Sequence, residues 1–206
     1  MGGNRKKRRT YPDVPERLAS AIVDNHTHLP VRGDRDYAAL SFDVASGVEE
    51  GAGEDSQGSI PWHVARMEAA GVRGAITCGC DIPTLQPTVA LAERWPSLSA
   101  AIGIHPNEVP LHRGITEESP DGMAHGLDPW HRDLSLEDAV AEVAALAVSA
   151  DVVAIGETGL DFYRTAAAGR AAQEEAFRMH IELAKDLDLP MQIHDREAHA
   201  ECMRIL

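Results

Sequence analysis

Val152-Val153-Ala154-Ile155-Gly156-Glu157-Thr158-Gly159-Leu160-Asp161 opens as a short apolar run and then carries a carboxylate into a glycine-containing turn. A run of this length bounded by glycine reads as a buried strand, Val152 to Gly156, with Glu157 emerging at its carboxyl end. Upstream, the amphipathic stretch from Ser135 to Ser149 reads as a helix, with the Ser135 hydroxyl as its cap and the acids Glu137 and Asp138 in its first turn. Downstream, a helical pattern from Ala171 to Leu187 leads into a second apolar run, Pro190 to His194. Strand, helix, strand is the unit of a parallel sheet covered by helices.

The same rhythm extends toward the N-terminus. Further strands are expected at Ala21 to His26, Gly74 to Cys78 and Leu98 to Gly103, and further helices at Ile60 to Ala70 and Leu85 to Arg94. Two segments break the pattern and read as loops: Arg32 to Gly58, which is acidic and glycine-rich, and Pro106 to Arg132, which is rich in proline. Each follows a strand with candidate site residues, the usual position of an active-site rim in βα architectures. Residues 1–20, with the basic run Arg5 to Arg9, read as a solvated tail, because no apolar stretch follows to make a signal peptide. Residues 21–206 read as one domain, the start of a (β/α)₈ barrel cut after about five strands. Such a sheet would leave open edges, so self-association is expected.

Composition narrows the partners. A net charge of -14 and an isoelectric point near 5.0 argue against nucleic-acid binding by bulk electrostatics, so an anionic substrate must be held locally. A bound divalent ion could supply that local charge. No apolar run reaches the roughly 18 to 20 residues of a membrane span. The odd set of Cys78, Cys80 and Cys202 offers no disulfide framework and fits a reducing cytoplasm, and Cys78 and Cys80 read as buried, inert thiols.

The chemistry is written at strand ends. In Asp24-Asn25-His26-Thr27-His28 the two histidines share parity, so alternation points both imidazoles to one side where they can meet one ion. Asp24 has the same parity, as a support for a ligating imidazole or as a buried polar residue. Gly103-Ile104-His105-Pro106 puts another histidine past a strand end, and in Pro190-Met191-Gln192-Ile193-His194 the residues Gln192 and His194 share a face. Four of the five strands thus bring His or Glu to one rim. Nitrogen and carboxylate donors without thiolate suit a catalytic Zn²⁺, Mn²⁺ or Fe site better than a structural zinc.

The blocks Asp24 to His28, Gly103 to Pro106, Gly156-Glu157-Thr158-Gly159-Leu160-Asp161-Phe162-Tyr163, Gln173 with Phe177 to Ile181, and Gln192 to Ala198 resemble the TatD family of metal-dependent deoxyribonucleases in order and spacing. The resemblance runs from about Ile22 to Leu206. It implies a TIM barrel that hydrolyses DNA phosphodiesters, commonly from the 3′ end of single strands, with two divalent ions (Mg, Mn or Zn). It further implies His26, His28, Glu157 and His194 as ligands, Glu157 as the catalytic bridging carboxylate, and His105 at a substrate-binding rim position. Asp161 falls in the motif with a role toward either the loop or the ions. The family's later histidine and aspartate have no counterpart in these residues, which leaves the competence of this chain alone open. Two alternatives stand beside it: an amidohydrolase acting on amides or lactones, against which the absence of lysine on the fourth strand counts, and a non-catalytic fragment.

Overall fold

A computed structural model of the chain describes residues 11–31 and 58–206. The basic run and most of the acidic loop lie outside them. Five parallel strands, β1 (Ile22–Thr27), β2 (Val72–Gly79), β3 (Leu98–Ile102), β4 (Val152–Asp161) and β5 (Met191–Arg196), pair in sequence order in one sheet. Helices α1 (Ile60–Ala69), α2 (Ile82–Arg94), α3 (Pro129–Asp133), α4 (Leu136–Leu146), α5 (Ala167–Leu187) and α6 (His199–Ile205) complete the chain. Parallel neighbours in sequence order require a crossover between each pair, and α1, α2, α4 and α5 supply them.

The outer face of the sheet holds the main core. Leu85 and Val89 of α2, Val140 and Val143 of α4, and Ala172 and Ala176 of α5 pack with Ile102 and Ile155. The concave face is lined by the small side chains Cys78, Ala101 and Ala154, with Ile76 beside them. Small residues there let the sheet curl, and the Gln192 amide of β5 crosses the concave side to donate to the Asn25 carbonyl of β1. The result is an open half-barrel. Its outer strands leave Ile22, Val23 and Ile193 exposed.

The helix starts follow their caps. Ser135 accepts from the Asp138 amide at 3.1 Å, as its capping position in the sequence suggested, and its own amide meets the Asp138 carboxylate to complete a capping box. The corrections concern boundaries. Helix α2 begins at Ile82 rather than Leu85, because Asp81 caps it and Pro83 fits its first turn. Helix α5 begins at Ala167 rather than Ala171, and the segment read as a loop from Pro106 to Arg132 contains a 3₁₀ turn at Leu111–Arg113 and α3.

The largest correction is at β4, which runs on through Glu157 to Asp161 instead of turning at Gly156. The reason lies in its glycines. Gly156 and Gly159 have φ of 146° and 136°. A Cβ there would sit 2.4 Å from the Gln192 carbonyl oxygen and 2.2 Å from that of His194. Only glycine lets β5 approach this closely, so the residues that read as a turn are a bulged part of the ladder, with a register shift between Ile155 and Thr158.

Candidate metal centre

The bulge in β4 turns Glu157 into the concave side, where the two carboxylate oxygens face different histidines. Oε2 lies 3.5 Å from Nε2 of His26 and 3.4 Å from Nε2 of His28. Oε1 lies 2.7 Å from Nδ1 of His194 and 3.9 Å from Nε2 of His105. Among the described residues two groups therefore have donor atoms within 4.8 Å of one another, His26 with His28 and Glu157, and His105 with His194 and Glu157. Glu157 belongs to both. All four residues expected as ligands come together, as does His105.

The imidazoles are held from behind. His26 Nδ1 lies 2.9 Å from Oε1 of Gln192, whose own amide nitrogen donates to Asn25, so Nδ1 carries the proton and Nε2 is left to face Glu157. Gln192 also accepts from the Cys78 thiol at 2.9 Å. The His28 ring meets the Cys78 backbone carbonyl as well as Glu157. Neither role left open for Asp24, support for an imidazole or buried polar residue, is found. Asp24 is exposed and accepts the His26 backbone N–H at 3.2 Å, and Gln192 fills the supporting role because it stands directly across the concave face.

His105 is oriented differently. Its Nδ1 accepts the Asn107 backbone N–H at 3.1 Å, which puts the ring proton on Nε2, the atom that faces Glu157 and His194. A nitrogen that bears a proton is a hydrogen-bond donor rather than a ligand. Burial, reinforced by the charge of His194, lowers the His105 pKa to about 4 and keeps it neutral.

The electrostatics of the pair are set by the carboxylates. Burial alone would favour neutral Glu157, but hydrogen bonds from His194 and His28 outweigh it and hold Glu157 far below the ordinary carboxylate range. For His194, burial opposes the charge and the bonds to Asp161 and Glu157 overcome it, raising its pKa to about 9. Asp161 serves the loop and, beyond what the sequence offered, the His194 ring. Its Oδ2 lies 3.1 Å from His194 Nε2, and its Oδ1 accepts the Tyr163 and Arg164 backbone N–H groups. Cys78 is buried and Cys80 only partly so, against the expectation that both are buried. Burial is the main reason both thiols are pushed up and stay protonated.

The sequence blocks named Gln173 and the run Phe177 to Ile181 without a role, and these are the parts that place the site. Helix α5 buries Gln173, Ala176, Phe177, His180, Ile181 and Ala184 on one stripe, so the two polar members lie two turns apart on the face that meets the sheet. His180 Nε2 accepts the Ile104 N–H at 3.1 Å and its Nδ1 donates to the Ala176 carbonyl at 2.7 Å. Gln173 donates to the Pro106 carbonyl at 2.8 Å and accepts from the Asp161 N–H at 3.0 Å. The helix thus grips the backbone on both sides of His105 and at the end of β4. A buried polar residue inside an otherwise apolar helical stripe is the signal that could have found them.

The His180 pair of bonds suits only the neutral ring, and burial lowers its pKa to about 4. Its folded value lies below the unfolded value near 6.5, so its contribution is present above pH 6.5 and is lost as pH falls toward 4. The expected loss over that window is about 3 kcal/mol. In carbon-13-labelled protein, the His180 ring resonances should hold their neutral positions down to about pH 5. Titration near pH 6.5 would contradict this environment.

A family model described as TatD related DNase matches residues 23–206. The 3′-5′ ssDNA/RNA exonuclease TatD of Salmonella typhimurium is 34% identical over 143 residues, covering 69% of this chain and 46% of that protein. The protein of the same name from Citrobacter rodentium is 32% identical over 143 residues, covering 69% and 45%. The chain therefore spans about half the length of the curated relatives it matches. Among solved structures, the TatD homolog YJJV of Escherichia coli superposes with a TM-score of 0.57 at 26% identity, covering 89% of this chain and 54% of that one. A TatD-family hydrolase from Entamoeba histolytica has a TM-score of 0.61 at 19% identity, covering 91% and 54%, and supports the fold alone.

Proposed function

Because this chain belongs to the TatD-related DNase family, a family of hydrolases, we propose that it hydrolyses phosphodiester bonds of single-stranded DNA from the 3′ end, as part of a cytoplasmic nuclease that uses two divalent ions. The observation that carries the reading is the split environment of Glu157, one oxygen toward His26 and His28 and the other toward His194.

The donor set fits such ions. It consists of imidazole nitrogen and carboxylate oxygen, the His26 Nε2 is freed for coordination by the bond of Nδ1 to Gln192, and Glu157 stands between the His26 and His28 pair and His194, whose Nδ1 would give up its proton on metal binding. His26, His28, Glu157 and His194 would hold Mg²⁺, Mn²⁺ or Zn²⁺. Ions bound there would supply an activated water at neutral pH and charge for the phosphoryl oxygens. The chain's own residues do the rest. Glu157 stays ionised and keeps the two histidine groups at a fixed separation. His105 presents its Nε2 proton to the substrate, as a donor to a phosphoryl oxygen. Asp161 steadies the His194 ring through Nε2 and anchors the turn at Tyr163 and Arg164.

The test is degradation of single-stranded DNA labelled at its 3′ end, in Mg²⁺ or Mn²⁺ and in chelator. Metal-dependent release of labelled mononucleotide is expected, and a labelled end that stays intact in every metal would overturn the reading. Hydrolysis of amides or lactones in place of DNA would establish the amidohydrolase alternative.

A further inference from the structure

Tyr163 and Arg196 stand side by side at the strand ends, two residues beyond Asp161 and His194 respectively. Tyr163 follows the β4 residue Asp161, whose carboxylate receives its backbone N–H at 3.1 Å. Arg196 ends β5, pairs with Asp161 across the ladder, and by strand alternation shares the face of His194 and Gln192. The Phe162 N–H donates to the Arg196 carbonyl at 2.9 Å, which ties the two strand ends together. Over this junction the Arg196 guanidinium lies 4.0 Å from the centre of the Tyr163 ring. Tyr163 is 39% exposed although its backbone is anchored.

Charge makes the position stand out. In a chain of net charge -14, several arginines are paired with acids, while among the described residues Arg170, stacked on Phe162, and Arg196 are not. Arg164 pairs with Asp121 at 2.8 Å, Arg113 with Glu137 and Glu175, and Arg204 with Glu174. Arg196 is exposed, and among the described residues no carboxylate comes within salt-bridge distance of it. A guanidinium stacked on a ring keeps its N–H edge free, and that edge matches a phosphate. An exposed ring beside it offers a face to a nucleobase without regard to sequence.

We propose that Tyr163 and Arg196 form the platform that receives the nucleotide next to the scissile phosphate, the ring stacking on its base and the guanidinium holding its backbone phosphate. This rests on the nuclease reading and adds to it the means by which an acidic protein keeps a polyanion at its rim. The platform binds the strand locally, and its selectivity is for unpaired bases, since a base already stacked in a duplex has no free face for Tyr163.

The test is binding of a fluorescein-labelled single-stranded oligonucleotide, followed by anisotropy in chelator so that no turnover occurs. Tyr163→Ala is expected to weaken binding about 10-fold, with Tyr163→Phe restoring it. Arg196→Ala is expected to weaken it about 10-fold and to lower the slope of log affinity against log salt by about 0.7. An oligonucleotide with an abasic site at the bound position should erase the effect of Tyr163→Ala and leave that of Arg196→Ala. If the unmodified protein binds and both alanine variants bind as tightly, the platform is wrong and the nuclease reading stands. DNA turnover in metal without measurable binding also rejects the platform alone. Neither binding nor turnover by the unmodified protein rejects both.

Discussion

Replacing Glu157 by Gln should abolish hydrolysis while leaving the fold intact. The side chain keeps its shape, but the two carboxylate oxygens face different histidine groups, each placed to share an ion with them, and an amide is a poor donor to a divalent ion. Loss of one such ligand removes several kcal/mol of stabilisation from a metal-assisted transition state, which corresponds to a fall in kcat of roughly 10³-fold. The change should also lower the His194 pKa from about 9, since Glu157 is one of the two carboxylates that hold it up. Circular dichroism and thermal melting check that the variant is folded, and steady-state assays on labelled DNA check the loss. Turnover within a few fold of the unmodified protein would remove Glu157 from the chemistry.

Gln173→Leu should damage stability and activity together. The side chain is fully buried, and its amide satisfies the Asp161 N–H, the Pro106 carbonyl and the Thr165 hydroxyl. Leucine has similar volume but answers none of these groups, so each is left unpaired in the core at about 1 to 3 kcal/mol. The expected destabilisation is about 3 kcal/mol or more in urea unfolding, a large part of the 5 to 15 kcal/mol that holds a typical domain. Activity should fall further than the folded fraction does, because the freed backbone carries His105 on one side and Asp161 on the other. Gln173→Glu separates the two effects. It keeps an acceptor for the Asp161 N–H and for a donating Thr165 hydroxyl, and loses the donor to the Pro106 carbonyl and the longer one to the Asp161 carbonyl, so the His105 side should suffer more than the Asp161 side. Destabilisation below 1 kcal/mol for Gln173→Leu would show that α5 does not grip these strand ends.

The parallel sheet and the five strand positions were legible because each strand is a short apolar run between polar segments. The same alternation made His26 and His28 partners before any geometry was known. Their convergence with Glu157 and His194 was legible only as the shared rim of parallel strands and through the family resemblance. What stayed hidden depends on approach between strands. The length of β4 could not be read because Gly156 and Gly159 carry two messages, turn or close packing, and only the backbone of β5 decides between them. Gln192 could be placed on the face of His194, but not across the half-barrel against His26 and Asn25, which are more than a hundred residues away in sequence. For the same reason the parity of Asp24 with His26 and His28 could not tell whether it supports them, and it is exposed instead. The tautomer of His105, which separates a donor from a ligand, turns on the backbone N–H of Asn107 and has no trace in residue types.

The central claim is that Glu157 joins two ion sites. It is tested most directly by counting ions bound at saturation, with Mn²⁺ titrated into the protein by calorimetry and the bound metal measured by elemental analysis. Two ions per chain, falling to one or none in Glu157→Gln, is the expected result. A single ion per chain that Glu157→Gln leaves in place would contradict the claim.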